Sequence, residues 1–280
     1  MTKSKYKMVC IDMDGTLLGE KHKISDFNKK VLKEASDRGT HIVVTTGRLY
    51  NNAAYFSEFI GAKSAVIAGN GAVIREKYSE DVIYRSKINS EAIKNLFKIA
   101  KECKVILHMH TVGEIITNSY LSAFVGKIVL PCKELDDFNI RLKTIKSEES
   151  LNNWLKENEG AVTKCIAFRK TKKGLRKFRD RLNEVDGITF YLSGDSSIEI
   201  NEKGVSKGRA VKVLGERYGV KREEIICIGD NENDISMIEY AGLGIAMGNG
   251  IDKLKEKADY ITDTNIKDGV GKAVKKFVLD

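Results

Sequence analysis

Met8-Val9-Cys10-Ile11-Asp12-Met13-Asp14-Gly15-Thr16-Leu17 is the stretch on which the fold of this chain turns. Its first four residues are apolar, the pattern of a short strand buried on both faces of a parallel sheet. Two aspartates follow at alternate positions, so on extended backbone both side chains point the same way. Gly15 lets the chain turn sharply behind them. Ligands of open α/β sheets bind beyond the C-terminal ends of the strands, which makes Asp12 and Asp14 candidate site residues. Two carboxylates this close repel each other unless a proton or cation intervenes, and acidic oxygen ligands suit Mg²⁺.

Outward from that strand, the N-terminal part alternates strand and helix. Ser25 suits the N-cap of a helix carrying Phe27, Val31, Leu32 and Ala35, and Gly39 suits its end. His41 to Thr45, Tyr50 to Ile60 and Ser64 to Ala68 read as strand, helix and strand. The order predicts a doubly wound parallel sheet. The C-terminal part resumes the same grammar. Ser206 caps a helix through Tyr218 that Gly219 stops. A strand at Glu224 to Ile228, a helix at Asp234 to Ala241, strands at Leu243 to Met247 and Tyr260 to Thr262, and a helix at Gly269 to Val278 follow. The middle reads as helices at Ser90 to Cys103 and Lys172 to Val185 with strands at Val105 to His110, Glu114 to Asn118, Cys165 to Arg169 and Thr189 to Leu192. Strands adjacent in sequence favour antiparallel pairing, hence an α+β insertion spanning 84–193 within an α/β core of 1–83 plus 194–280. The single proline, Pro131, falls inside the insertion.

A second acidic cluster, Gly229-Asp230-Asn231-Glu232-Asn233-Asp234, follows the strand Glu224 to Ile228. Asp230 repeats the placement of Asp12 and suits the same metal. An EF-hand loop would need Gly at its sixth position and Glu at its twelfth, where Ile235 and Ala241 stand, so that reading fails. Thr45-Thr46-Gly47-Arg48 offers a hydroxyl and backbone N–H groups near a helix start, a setting for phosphate. Lys207, in the first turn of its helix, can meet an anion there. His108 and His110 share one face of a strand, but no third metal ligand is in view. Asn70, between two glycines, is a candidate to line the site.

Composition sets outer limits. The chain has 280 residues with 42% hydrophobic and 31% charged, ordinary for a globular protein able to bury a core without staples. No apolar run reaches the roughly 18 residues of a membrane span. The run after the basic N-terminus is too short for a secretory signal, so cytoplasm is expected. Five cysteines without a CxxC pair point to neither disulfide framework nor zinc site. The net charge of +9 raises the possibility of nucleic-acid binding. The basic residues, however, alternate with acids along the chain, so no nucleic-acid partner is expected. That field still favours anionic substrates.

The motifs together resemble those of haloacid dehalogenase (HAD) superfamily phosphatases, in the Cof-like group with a large α+β cap (subclass IIB). Asp12-Met-Asp14-Gly-Thr-Leu is similar to the first motif, Thr46-Gly-Arg to the second, Lys207-Gly to the third and Gly-Asp230-Asn-Glu-Asn233-Asp234 to the fourth. Gly69-Asn70-Gly71-Ala72, Ala246-Met247-Gly248-Asn249 and Ala258-Asp259-Tyr260-Ile261-Thr262 also fit. Gly250 departs from the group, where Ala is expected. The resemblance implies a Rossmann-like core and hydrolysis of small phosphorylated metabolites through an aspartyl-phosphate on Asp12. It implies that Asp14 is acid then base, and that Mg²⁺ is held by Asp12, the Asp14 carbonyl and Asp230. Thr46, Gly47, Lys207 and Asn233 would bind phosphate, with Asp234 and Asn70 in support. A monomer or weak homo-oligomer is expected. A phosphomutase or phosphotransferase would use the same nucleophile, and the motifs do not separate it from a phosphatase. A basic nucleic-acid-binding protein would leave the acids unexplained.

Overall fold

A computed structural model describes residues 4–79, 81–122, 141–193 and 196–280. Pro131, Cys132 and the expected domain boundary at residue 194 lie outside them. The chain divides into two compact units, Met1–Tyr84 with Ser206–Asp280, and Arg85–Val205.

The strands, in chain order, are β1 Met8–Ile11, β2 His41–Val44, β3 Val66–Ala68, β4 Val73–Arg75, β5 Val82–Arg85, β6 Ile106–His110, β7 Glu114–Thr117, β8 Arg141–Thr144, β9 Lys164–Phe168, β10 Ile188–Ser193, β11 Ser197–Glu202, β12 Ile225–Gly229, β13 Leu243–Ala246 and β14 Tyr260–Ile261. In the first unit, five of them form a wholly parallel sheet in the order β14-β13-β12-β1-β2. Every residue of β1 is fully buried, as the apolar run requires. Met8 and Cys10 pack into a core with Val211 and Leu214 of the helix Lys207–Tyr218 and Met237 and Ile238 of the helix Ile235–Tyr240. Val9 and Ile11 point to the opposite face. The helix Asp26–Asp37 contacts β2 and the helix Gly269–Val274, and Gly271 N donates to Asn28 Oδ1 at 2.8 Å. Beyond β2, a parallel bridge joins Thr45 to Ile67 of β3, which continues into the sheet β3-β4-β5, where β3 and β4 are antiparallel.

β1 sits between β12 and β2, with Ile11 level with Ile228 on one side and Val44 on the other. The chain leaves β1 toward one neighbour and returns beside it on the other, which creates a topological switch point. Asp12, Thr45 and Gly229 therefore emerge side by side. Asp12 N donates to Ile228 O at 3.0 Å and Thr45 N to Ile11 O at 2.8 Å.

The second unit carries a six-stranded sheet in the order β10-β11-β9-β6-β7-β8. Leu107, Met109, Cys165, Ala167, Ile198 and Ile200 alternate onto one face. They pack there with Phe97, Trp154 and Phe178 of the helices Ser90–Glu102, Glu148–Glu157 and Lys172–Arg181. Neighbouring strands are antiparallel, as expected, except that β7 and β8 are parallel. Ending the insertion at 193 leaves out β11, which pairs with β9 and β10 and buries Ile198 and Ile200. Lys164 forms a buried pair with Glu199 at 2.9 Å.

Candidate functional site

The site is built where β1, β2 and β12 end. Asp12 follows β1 and is 5% exposed. Lys207 opens the helix Lys207–Tyr218, whose N-cap Ser206 accepts from Arg209 N. The side chain of Lys207 is wholly buried, and its Nζ lies 2.6 Å from Asp12 Oδ1 and 2.5 Å from Asp234 Oδ1. Asp234 turns its other oxygen, Oδ2, toward the backbone N–H groups of Asp230 and Asn231, at 2.9 and 3.0 Å. The strand β12, the acidic turn behind it and the helix lysine are thereby knitted into one hydrogen-bonded unit.

Asp230 completes the group. Its Oδ1 accepts from Thr16 Oγ1 at 2.7 Å, tying the fourth sequence motif to the first. Gly15 adopts φ +81°, and a Cβ there would stand 2.4 Å from Asp230 Oδ2. Only glycine supplies both the left-handed backbone and the space for that carboxylate. Gly208 has a comparable role: a Cβ would stand 2.1 Å from Ser236 O, so the helix start packs closely on the helix Ile235–Tyr240 that follows the acidic turn.

Asp12, Asp230 and Asp234 bring carboxylate oxygens within 4.8 Å of one another. Burial and the charges of Asp234 and Asp230 push the Asp12 carboxyl well above the usual carboxylate range, against the pull of Lys207. Burial pushes Asp230 up to about 6, with the neighbouring Asp234 adding to it and the Thr16 hydrogen bond opposing it. Burial also disfavours the charge on Lys207, but Asp12 and Asp234 more than offset it and raise its pKa. Three carboxylates around one ammonium leave an excess of buried negative charge. A hard divalent cation with oxygen ligands fits that excess. Both oxygens of Asp234 are already engaged, so Asp12 and Asp230 are the carboxylates able to hold it.

Asp14 lies apart from this cluster. Its side chain is half exposed, and the Arg48 guanidinium grips it through Nε to Oδ2 at 2.7 Å and a second bond to Oδ1 at 2.5 Å. The sequence signal for Arg48 is weak: it stands in a motif, and nothing in the pattern assigns it a partner. Asn249 Nδ2 donates to Gly15 O at 2.8 Å, and Asn265 N donates to Asn249 Oδ1. These two asparagines brace the turn, a support that no local pattern announces.

Thr46 is buried, and its hydroxyl oxygen accepts from Arg48 N at 3.1 Å. Gly47 is the residue between them. Asn70, in left-handed conformation at φ +62°, donates its N–H to Thr46 O and accepts from Asn233 Nδ2 at 3.1 Å. Asn233 and Asn70 thus join the acidic turn to the end of β3. Away from this site, His108 Nε2 lies 2.5 Å from Ser122 Oγ, and its ring centroid is 6.2 Å from that of His110. Among the described residues, the acidic trio is the only group of three potential metal ligands. The four described cysteines are free, buried thiols.

The family model for haloacid dehalogenase-like hydrolases matches residues 9–274. The chain is 31% identical over 98% of its length to a 5-amino-6-(5-phospho-D-ribitylamino)uracil phosphatase of Bacillus subtilis, covering 96% of that protein. It resembles the crystal structure of a haloacid dehalogenase-like hydrolase from Bacteroides thetaiotaomicron with a TM-score of 0.82 and 28% identity, over 97% of this chain and 99% of that one. A sugar phosphatase of HAD subclass IIB matches with a TM-score of 0.78 and 27% identity, over 97% of this chain and 98% of the other. Matched along nearly its whole length, the chain belongs to the haloacid dehalogenase-like hydrolases.

Proposed function

We propose that this HAD phosphatase hydrolyses small phosphate monoesters of the sugar or polyol kind, with Asp12 as nucleophile and Mg²⁺ as cofactor. The observation that carries the reading is Asp12 itself: a buried carboxylate at a switch point, held on one oxygen by Lys207. Asp12 attacks phosphorus in line, its oxygen–phosphorus bond forming as the ester oxygen leaves. Asp14 gives that oxygen a proton. Water then attacks the same phosphorus, Asp14 takes its proton, the bond to Asp12 breaks and inorganic phosphate departs.

Lys207, Thr46 and the Gly47 backbone hold the transferring oxygens, while Asn233 supports that cradle through Asn70. Asp234 orients Lys207. Held by Asp12, Asp230 and the Asp14 carbonyl, the cation would neutralise charge on the phosphoryl oxygens. The inserted unit sets substrate preference, in keeping with relatives that are a sugar phosphatase and a ribityl-phosphate phosphatase. No helix among the described residues is long and apolar enough to cross a membrane, which is compatible with the cytoplasmic setting proposed here.

The test is a phosphate-release screen over a metabolite panel, with rapid quenching and peptide mass analysis of the best substrate. Added phosphoryl mass on the peptide containing Asp12, absent in Asp12→Asn, is the expected result. Phosphate on another residue would overturn the nucleophile assignment. An isomerised phosphosugar in place of free phosphate would favour a mutase.

A further inference from the structure

The two hydrogen bonds from Arg48 to Asp14 join the third residue of one motif to the acid–base candidate of another. Each guanidinium nitrogen has a place. Nε and one terminal nitrogen meet the two oxygens of Asp14, and the other terminal nitrogen donates to Asn52 Oδ1 at 2.7 Å. The Phe56 ring lies 5.4 Å from the guanidinium carbon. Asn52 and Phe56 are one and two turns beyond Arg48, on the helix Tyr50–Phe59. At its root, Arg48 N donates to Thr46 Oγ1 and Arg48 O accepts from Gly69 N at 2.9 Å. The arginine is therefore fixed at both ends before it reaches Asp14.

Asp14 needs such a partner. Its side chain is 49% exposed, and the His22 ring nitrogen Nδ1, 3.9 Å away, belongs to a side chain that is itself 77% exposed. A carboxylate on a turn, facing solvent, has several rotamers open to it, and misplacement by about an ångström can cost on the order of 10²-fold in rate. A planar fork sets both the position and the plane of a carboxylate, which an ammonium cannot do.

We propose that Arg48, braced by Asn52 and Phe56, is a positioning residue that aims the Asp14 carboxylate at the leaving oxygen and, after it, at the attacking water. This rests on the acid–base reading of Asp14 given above. Arg48 acts through Asp14 and takes no part in the bonds that form and break.

The test is a double-mutant cycle with an aryl phosphate, read by steady-state kinetics, rapid quench and mass analysis. Arg48→Ala should lower kcat about 10- to 100-fold with no rise in KM, which falls with kcat where hydrolysis of the phosphoenzyme limits turnover, and phosphorylated Asp12 should accumulate because its hydrolysis needs Asp14. Arg48→Lys should recover little of the kcat, since it lacks the fork. In an Asp14→Asn background, Arg48→Ala should cost nothing further. A KM that rises about tenfold with kcat kept would make Arg48 a substrate anchor, and full additivity with Asp14→Asn would show that it acts alone. Either result overturns the inference. Should Arg48→Ala not fold, the same cycle with Arg48→Lys decides. If Asp14→Asn accumulates phosphoenzyme and the Arg48 variants do not, the positioning role fails alone. If Asp14→Asn accumulates none, the acid–base reading fails with it.

Discussion

Lys207 Nζ and Asp234 Oδ1 stand 2.5 Å apart, and both side chains are wholly buried. A lysine in the first turn of a helix is ordinarily solvated. Here the helix start is drawn against the helix Ile235–Tyr240 at Gly208, and the ammonium has no exit to water. Its charge is tolerable only because two carboxylates meet it.

Asp234→Ala removes one of those carboxylates and orphans the N–H groups of Asp230 and Asn231. Breaking a buried pair from one side costs about 3–5 kcal/mol. Urea unfolding should show a loss of that order, with a smaller loss, about 1–3 kcal/mol, for Asp234→Asn, which keeps an acceptor. Unchanged stability in Asp234→Ala would show that the pair contributes nothing to folding.

Gly15→Ala tests the close approach of the first and fourth motifs. The substitution forces a side chain into φ +81° and onto Asp230 Oδ2. Strain of this kind costs on the order of 1–3 kcal/mol. Asp230 must also shift, so activity should fall by about 10²-fold or more, as for other ångström-scale misplacements. Near-normal activity in a folded Gly15→Ala protein would mean that Asp230 need not sit where it does.

These features differ in how far sequence announces them. The core strands were legible because Met8–Ile11 and Ile225–Ile228 are continuous apolar runs, the signature of burial on both faces. β8, Arg-Leu-Lys-Thr, was missed because an edge strand with two charges carries no such run. β11 had a usable signal, the alternation of Ile198 and Ile200, which the neighbouring serines and glycine masked. At the site, Asp12, Asp230 and Lys207 were legible because each stands at a strand end or helix start. Arg48 was not, since its partners are one residue distant in sequence, Asp14, and one on the next helix, Asn52. A contact between loops leaves no periodicity to read.

The inserted unit should lose stability in mild acid. Burial holds His108 down to about 4, and burial with the nearby Lys164 and His108 charges holds His110 well below its ordinary value. Unfolded histidines titrate near about 6.5, so below that pH the unfolded chain binds more protons than the folded one. Stability should be constant above about pH 6.5 and fall as pH drops toward 4.5, by roughly 1–3 kcal/mol. His110→Asn should flatten that slope in a thermal-melt series, although it costs some stability at neutral pH. An identical slope in variant and wild type would remove His110 from the effect.

Chelation should abolish turnover. Asp12 and Asp230 share an excess of buried negative charge that Lys207 only partly meets. EDTA should stop phosphate release and Mg²⁺ should restore it. Ca²⁺, larger and looser in geometry, should support little activity. Because the cation relieves carboxylate repulsion, Mg²⁺ should also raise the melting temperature of the wild type, and do so less in Asp230→Asn. Full activity in excess chelator would remove the metal from the reaction.

Asp14→Asn separates the two chemical steps by leaving group. An alkyl phosphate needs a proton on its departing oxygen, so its first step should slow sharply without Asp14. An aryl phosphate with an acidic phenol leaves unaided, and Asp12 can still be phosphorylated. Its second step then lacks a base for water, so phenol should appear in a burst of about one equivalent before slow turnover. Asp12→Asn should show neither burst nor turnover, because an amide does not accept the phosphoryl group. The contrast between alkyl and aryl substrates is the informative quantity. A general loss of structure around Asp14 would slow both alike and give no burst. If Asp14→Asn slows aryl and alkyl phosphates equally, with no phosphoryl mass on the quenched protein, Asp14 is not the acid and base of this reaction.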